Sequence, residues 1–408
     1  MMSVMALFQN EKLYFKLFLA GVVNGIGDRF SQVALFVLLL HITGSGLAVG
    51  ITLAIRVIPF LLFGPLGGFL ADQISRKKIL IATDLLGIVF ALSYIFVQDE
   101  SQLWIVYVST FILAAGEAIY APARKSLIPL IVRKENIVKV NSFEQVMLGV
   151  VLIIGSISGG IVSYFFGPTM TFWLNGLSFL FAAIIIWTLP LKHKHQKSAK
   201  ENHKTSFFQK IFTLRKLIIA SSPLMIVFLF EIFVPIFNGI DNVLISVYAV
   251  EEFKLGDIGV GLFYGSLGMG LMLSYLVAHR MKQHLLLIGV ASLVLEGIFH
   301  SLLSFVHMPI LAILIYMSVS FLSGICNTCM DSTVMNEVPA HHQGFIFGIL
   351  ATISNTLIGL SMFTSGILLE VMSNRMLGFI GGSGLVLTGG ILFTLFALKS
   401  SKMVKVNI

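Results

Sequence analysis

Long apolar runs follow one another along the whole chain, separated by shorter polar segments. A helix that crosses a bilayer needs roughly 20 consecutive, mostly apolar residues. Runs of about this length predict twelve membrane helices, at residues 14–40, 47–71, 79–97, 103–121, 143–166, 169–189, 218–248, 258–279, 285–305, 309–329, 345–371 and 376–398. The first, fifth, seventh and eleventh runs are long and contain polar residues, a pattern typical of helices that line a cavity.

The composition supports this interpretation. Hydrophobic residues make up 57% of the 408 residues and charged residues only 11%, whereas a soluble protein has about 25% charged residues. One globule cannot bury so much apolar surface, so we predict an all-α integral membrane protein. The N-terminal stretch lacks the pattern of a cleavable signal peptide, and we expect the first run to remain as a membrane helix.

The basic residues are distributed unevenly between the two sides of the predicted membrane. If the N-terminus is placed in the cytoplasm, all but four of the 27 Lys and Arg residues fall in cytoplasmic segments. The positive-inside rule then predicts that both termini are cytoplasmic. The net charge of +8 therefore reflects topology in a multi-pass protein of the cell (cytoplasmic) membrane, and we predict the lipid bilayer as a partner and no nucleic acid.

One long polar stretch, residues 191–216, falls in the middle of the chain. We predict that it is a cytoplasmic linker between an N-terminal six-helix bundle (1–190) and a C-terminal six-helix bundle (217–408). The two halves also resemble each other: GPLGGFLADQISRKK (64–78) is similar to GSLGMGLMLSYLVAHRMK (265–282), and SGGIVSYF (158–165) to TSGILLEV (364–371). Duplicated six-helix repeats are a known transporter design.

Residues 68–78, GFLADQISRKK, form a motif of physical interest. A glycine lets a neighbouring helix approach closely, an acid can meet the positive end of a helix, and bases can pair with acids. The motif resembles the signature G-x-L-x-D-R-x-G-R-[RK] of the major facilitator superfamily, with Gln73 and Ser75 in place of Arg and Gly. The matching positions predict a cytoplasmic gate: Gly68, Asp72, Arg76 and Lys77. A simple positive-inside anchor is the alternative.

The resemblance extends over the chain. Residues 43–72, 120–143 and 335–348 are similar to the branch of that superfamily that contains macrolide-efflux proteins and the enterobactin exporter. The resemblance implies two pseudo-symmetric six-helix bundles and export of amphipathic small molecules, such as drugs, macrolides or siderophore-like metabolites. It does not specify the substrate.

The fifth predicted helix contains a set of small residues. Gly149, Gly155, Gly159 and Gly160 partly resemble the antiporter signature of the superfamily, although Ser156 stands where a proline is usual. Small residues permit close helix contact and bending. The set favours export over import, but plain helix packing explains it nearly as well.

Ionisable residues inside the predicted membrane helices are candidates for function, because a charge at mid-bilayer costs roughly 2.5–3.5 kcal/mol on insertion scales. Helical spacing places four polar residues on one face of the first helix: Asn24, Asp28, Ser31 and Gln32. Arg56, on the antiparallel second helix, lies at a similar depth. We therefore predict an Asp28–Arg56 pair with Arg29 nearby, either coupled to transport or a permanent structural salt bridge.

The second half offers a further set of candidates on the seventh and tenth helices: Glu231, Asn238, Asp241 and Asn327. Glu231 lies near mid-membrane and is a second candidate proton carrier, or a polar contact between helices. Asp241 is closer to the outside and is expected to line the outer vestibule. Glu296 and His300 on the ninth helix rank lower, because the resemblance implies a peripheral position for that helix.

These features predict a secondary exporter rather than an enzyme. No G-x-x-x-x-G-K-[ST] motif for ATP occurs, so the energy must come from an ion gradient or from the substrate. We expect proton antiport with alternating access by a monomer, without a cofactor or a bound metal. Lysophospholipid translocation is the alternative within transport. A membrane enzyme or a sensor is a third possibility that lacks a catalytic constellation or a soluble domain to support it.

Overall fold

The computed structural model describes residues 4–44, 46–190 and 206–406. Within these residues, twelve helices are long and apolar enough to cross a membrane, which confirms the prediction. We number them α1 to α12: Lys12–Thr43, Leu47–Gln73, Arg76–Phe96, Glu100–Ile131, Lys134–Phe166, Pro168–Trp187, Ser222–Glu252, Ile258–Ala278, Leu285–Leu303, Pro309–Glu337, Gln343–Leu368 and Asn374–Leu398. A shorter helix, Phe207–Ala220, precedes α7.

Several helices are longer than their apolar runs. Helix α4 continues to Ile131 although the apolar run ends near residue 121, and Pro122 and Pro129 lie within it. Helix α10 likewise extends to Glu337. Hydropathy marks only the apolar part of a helix, whereas its polar ends continue because they pack against neighbouring protein: Arg124, for example, is buried.

The chain divides into two compact units. The first unit comprises Met1–Lys134, Val150–Phe207 and Pro339–Thr352. The second unit comprises Glu135–Gly149, Phe208–Val338 and Ile353–Ile408. The predicted bundle boundaries at residues 190 and 217 stay a prediction, since residues 191–205 of the linker lie outside the described residues.

The same helix pairings occur in both units. In the first unit α1 packs against α6, α2 against α4, and α3 against both α4 and α6. In the second unit α7 packs against α12, α8 against α10, and α9 against both α10 and α12. Each pairing is repeated six helices later. This confirms the predicted fold class, an all-α membrane protein with two pseudo-symmetric six-helix bundles.

Glycines allow the closest of these pairings. A Cβ atom at Gly67 of α2 would come 2.6 Å from the Cα atom of Ile119 on α4. At Gly270 of α8, the corresponding atom would collide with the carbonyl of Met317 on α10. Small residues at such crossings allow close van der Waals packing. This packing stabilises helix association inside lipid, where the hydrophobic effect does not drive it.

Candidate functional site

A cavity lined by both polar and apolar residues lies within the first unit, among α1, α2, α3, α4 and α6. Its volume is about 80 Å³, which is room for several water molecules. Five of the residues predicted from the sequence line it: Asn24, Asp28, Ser31, Gln32 and Arg56. The predicted stripe on α1 therefore faces this cavity. Further polar residues come from the other helices: Thr83, Asp84, Thr110, Glu117, Tyr120 and Asn175.

Asp84 on α3 is the most deeply buried acid of the cavity, with 1% of its surface exposed. Its Oδ1 atom accepts a hydrogen bond of 2.8 Å from the Asn24 side-chain amide. Its Oδ2 atom has no hydrogen-bond partner among the described residues. A buried carboxylate oxygen without a donor is costly, so this atom is a position for a proton, a water molecule or a ligand donor.

Asp28 has a different partner from the predicted one. Its carboxylate is hydrogen-bonded to the side chain of Asn175 on α6. The Arg56 Nη2 atom instead lies 3.7 Å from Glu117 Oε2 on α4. Arg56 still interacts electrostatically with Asp28, but its direct ion pair is with Glu117, and the helix packing explains why. Because α2 packs mainly against α4 and α1 against α6, each residue meets the helix beside its own.

Arg56 and Glu117 both line the cavity. The side chains are 35% and 51% exposed, so solvent weakens their attraction. Such a pair contributes little to stability, but it holds one positive and one negative group at the cavity.

Arg29 does not line the cavity. Its side chain is exposed, and its Nη1 atom donates a hydrogen bond of 3.1 Å to Gln32 Oε1. A Cβ atom at Gly155 on α5 would come 2.7 Å from the Arg29 Cβ atom. The stem of Arg29 thus packs against α5.

Sequence reasoning missed the polar cavity residues outside α1 and α2, and three of them make the contacts described above. Asp84 and Glu117 are acids within apolar runs, and the cost of a charge in the membrane would have identified both. Asn175 is a single neutral polar residue, for which the sequence gives only a weak signal. Its position against Asp28 depends on the packing of α6 on α1.

A second polar cluster lies within the second unit. The Asp241 Oδ1 atom accepts a hydrogen bond of 2.8 Å from the hydroxyl of Tyr316 on α10. The same atom is 3.2 Å from the Nε2 atom of His300 on α9, which is 3% exposed. Asp241 was expected to line an outer vestibule, but its carboxylate contacts this buried histidine. Glu296, one turn from His300, is buried and hydrogen-bonded to Ser323.

The other candidates of the second half are half-buried: Glu231, Asn238 and Asn327. Glu231 lies close enough to the Cys326 thiol for the two groups to interact electrostatically. The Asn238 carbonyl accepts a hydrogen bond of 2.8 Å from the Asn242 side chain, one turn along α7. Their roles stay predictions.

The predicted gate motif meets the first turn of α11 inside the first unit. The Asp72 carboxylate accepts hydrogen bonds from the backbone N–H groups of Gly344 (2.9 Å) and Phe345 (3.1 Å). These are among the N–H groups that a helix leaves unsatisfied at its N-terminus, where the helix dipole also favours an anion. A Cβ atom at Gly68 would come 2.5 Å from the Gly344 carbonyl oxygen, so a larger residue there would separate the helices.

The bases of the motif also bind protein groups. Arg76 Nε donates to Ser126 Oγ at 2.8 Å, and Arg76 Nη2 donates to the Ala340 carbonyl at 3.0 Å. Lys77 Nζ donates to the carbonyls of Trp187 and Leu189 at the end of α6, at 2.6 and 2.8 Å. A simple anchor to the membrane surface does not require these contacts, so the geometry favours the gate interpretation.

Helix α5 contains a π-helical turn, Val151–Gly155, within the predicted antiporter motif. Such turns are rare and occur frequently at functional sites. Two glycines of the motif pack tightly against α1: Gly155 against Arg29, and Gly159 against Phe30. Gly149 lies against Gly268 in the second unit, whereas a Cβ atom at Gly160 would have no described atom within 4 Å.

Comparisons with known proteins agree with this architecture. Residues 17–362 match the sequence profile of the Major Facilitator Superfamily. The uncharacterized MFS-type transporter YfiS of Bacillus subtilis is 22% identical over 402 residues, which cover 96% of this chain and 95% of that protein. The human organic anion transporter MFSD10 superposes with a TM-score of 0.76 at 13% identity, covering 94% of this chain and 99% of that one, which shows the fold alone.

A shorter similarity carries a substrate name. Macrolide efflux protein A of Streptococcus pyogenes is 30% identical to this chain over 150 residues. The aligned part covers 36% of this chain and only 37% of the length of that relative.

Proposed function

Because the chain belongs to the major facilitator superfamily and is a multi-pass membrane transporter, we propose that it exports amphipathic small molecules by proton antiport. The substrates in this proposal are basic drugs, including macrolides that carry an amino sugar. The similarity to macrolide efflux protein A supports that substrate class.

The cavity of the first unit carries the proposal. It brings together three carboxyl groups, on Asp28, Asp84 and Glu117, and one guanidinium group, on Arg56. When all four are charged, the excess is negative and favours a cation. A siderophore-like anion fits this cavity less well than a basic amphiphile.

The Oδ2 atom of Asp84 is the central position for coupling. A proton bound there removes a buried charge, and the amino group of a substrate satisfies the same atom by a hydrogen bond. The two ligands therefore compete, which is what an antiporter requires. An electric potential adds about 2.3 kcal/mol per 100 mV for each net charge moved across the membrane.

The gate motif completes the proposal. With both termini in the cytoplasm, as the distribution of basic residues predicts, the contact between Asp72 and the N-terminus of α11 lies on the cytoplasmic side. We propose that it forms when the cavity is closed to the cytoplasm and breaks when a substrate enters. The exporter then works in the cell membrane, as a monomer, by alternating access.

Transport into inside-out vesicles tests this function. We expect uphill uptake of cationic dyes and basic macrolides on energisation, and no uphill uptake of anionic siderophores. An uncoupler that collapses the proton gradient should abolish the uptake. Robust uphill uptake that ignores the uncoupler would refute proton antiport, and uptake of the anions alone would refute the assigned substrate class.

Lysophospholipid translocation is a second candidate, favoured by the Arg56–Glu117 pair. The adjacent opposite charges match a zwitterionic headgroup, with the guanidinium on the phosphate and the carboxylate near the ammonium. Proteoliposomes that move labelled lysolipid but none of the dyes or macrolides would establish this alternative.

A further inference from the structure

The second unit contains a buried acid–base pair that the proposed export site does not use. Asp241 on α7 contacts His300 on α9 at 3.2 Å and accepts the phenolic hydrogen bond of Tyr316 on α10. Both contacts fall on the same oxygen, Oδ1. His300 and Tyr316 are buried, so water does not screen the attraction between Asp241 and His300.

A short sequence repeat relates this pair to the cavity of the first unit. Helix α1 contains Asn24-Gly25-Ile26, with Asp28 two residues further on, and helix α7 contains Asn238-Gly239-Ile240 followed directly by Asp241. In each unit, this stretch meets the third helix of its repeat. Asn24 binds Asp84 on α3, and Asp241 contacts His300 on α9.

The partner on the third helix differs between the units, and this difference changes the chemistry. In the first unit the partner is a carboxyl group, whereas in the second it is an imidazole. Histidine is the side chain whose ordinary titration lies between about pH 5 and 8. The stretch of α7 therefore faces an imidazole, whose charge depends on whether it binds a proton.

Further ionisable groups on the packed helices interact with Asp241 or with the tyrosines beside it. They are Tyr248 and Glu252 on α7, Tyr264 on α8, Glu296 on α9, Tyr316 on α10 and Arg375 on α12. The Arg375 Nε atom forms an ion pair with Glu252 Oε1 at 2.5 Å, and Glu252 therefore compensates the charge of Arg375. Glu296 is the remaining acid close to Asp241, and a test must separate its contribution from that of His300.

We propose that His300 and Asp241 form a second proton-binding site, and that this site is coupled to transport; the coupling rests on the proton antiport proposed above. The proton binds the imidazole of neutral His300. The product is an ion pair with Asp241 that has no net charge. Release of the proton leaves one negative charge on Asp241, supported by the Tyr316 hydroxyl.

This change of charge acts on the attachment of α7. The ion pair binds α7 to α9, and its loss weakens that link. Pro235 precedes Asp241 on α7 and cannot donate the backbone hydrogen bond that would reach the Glu231 carbonyl. Helix α7 therefore has a weak point at Pro235 and, nearer its C-terminal end, a proton-dependent contact at Asp241. Protonation of His300 thus strengthens the attachment of this half of α7 to α9.

Proton binding is measured first on the purified full-length protein in nanodiscs, without substrate. Nitrogen NMR of histidine-labelled protein reports on the two ring nitrogens of each of the ten histidines. We expect the signals that are lost in His300→Gln to change with pH in the wild type, and to change differently in Asp241→Asn and Tyr316→Phe. His307→Gln, at an exposed position nearby, is the matched control. His300 signals that do not respond to pH, or that respond in the same way in Asp241→Asn, overturn the proposal.

Transport is measured next as a function of pH. We expect His300→Gln to reduce the variation of uptake rate across about pH 5 to 8 by roughly tenfold, and His307→Gln to leave it unchanged. Loss of the pH dependence in Glu296→Gln but not in His300→Gln would assign it to the other acid and overturn the proposal.

The two proposals fail in different ways. If uptake by the wild type ignores the proton gradient, the proposed antiport fails and so does the coupling of His300, whereas the NMR titration still decides whether His300 binds a proton. If uptake is proton-driven and His300→Gln has the wild-type pH profile, the second site alone is refuted.

Discussion

The Asn24 side-chain amide on α1 donates a 2.8 Å hydrogen bond to Asp84 on α3. A buried acid in a membrane protein is costly unless its oxygens are hydrogen-bonded or protonated. The bond engages one carboxylate oxygen and leaves the other without a partner among the described residues. The amide holds Asp84 in one orientation and keeps its second oxygen free for a proton or a substrate. The cavity is thus arranged around one incompletely satisfied acid.

Replacement of Asp84 by asparagine should separate coupling from transport. The amide retains a hydrogen-bonding oxygen but cannot bind and release a proton. We expect uphill uptake in inside-out vesicles to fall about 5–150-fold, the range of coupling free energies of roughly 1–3 kcal/mol, while downhill exchange persists. Glu370→Gln, at an exposed position, is the control. Wild-type uphill uptake in Asp84→Asn would remove Asp84 from the mechanism.

Replacement of Asn24 by leucine should destabilise the protein. It removes the one donor to Asp84 found in the described part of the chain and leaves a buried carboxylate unsatisfied, at a cost of about 1–3 kcal/mol. We expect a lower midpoint of thermal unfolding in nanodiscs and partial recovery in the double variant Asn24→Leu/Asp84→Leu, in which both polar groups are absent. Strictly additive effects of the two changes would show that the hydrogen bond contributes nothing.

Asp72→Ala should open the predicted gate. The substitution removes the carboxylate from two backbone N–H groups at the start of α11, a charge–dipole contact worth up to about 2 kcal/mol in partly buried positions. A cysteine at Ala340, in a background with both native cysteines replaced by serine, reports the opening. We expect a thiol reagent to label it faster in Asp72→Ala than with Asp72 intact. Equal rates would favour the simple anchor interpretation.

Two adjacent glycines of α5 should respond differently to the same change. A Cβ atom at Gly159 would come 2.9 Å from the Phe30 Cα atom, whereas at Gly160 it would meet no described atom within 4 Å. We expect Gly159→Ala to cost about 1–3 kcal/mol through overpacking and to slow uptake, while Gly160→Ala behaves as the wild type. Thermal unfolding and vesicle uptake measure both. Equal effects would mean that the motif acts otherwise than through packing on α1.

Glu117→Gln should change selectivity more than stability. Its contact with Arg56 is exposed, so we expect the free energy of unfolding to fall by no more than about 1 kcal/mol. Loss of one of three cavity carboxylates should weaken the preference for a cationic dye over a neutral analogue of similar size. Competition between the two in vesicle uptake gives the ratio, and an unchanged ratio would exclude Glu117 from substrate binding.

The fold could be predicted from the sequence because a bilayer imposes simple rules. Every spanning segment must be apolar and helical, so the twelve runs identify the helices, and the similarity between 64–78 and 265–282 indicates the duplication. The polar face of α1 was equally visible, since residues 24, 28, 31 and 32 recur at helical spacing. The ends of α4 and α10 were placed too early, because their last turns are polar and supported by packing.

The partners of the charged residues were beyond the reach of the sequence. By itself, the sequence determined that Asp28 and Arg56 lie in the membrane and at similar depth. Only the tertiary structure decided that Arg56 meets Glu117, that Asp28 meets Asn175, and that Asp241 meets His300. The physical reason is that the bilayer constrains each helix separately, through hydrophobicity, whereas the choice of partner depends on which helices are neighbours and on how each is rotated. Close packing at small residues sets the neighbours of each helix and its rotation, and the residue pattern along a single helix specifies neither of these.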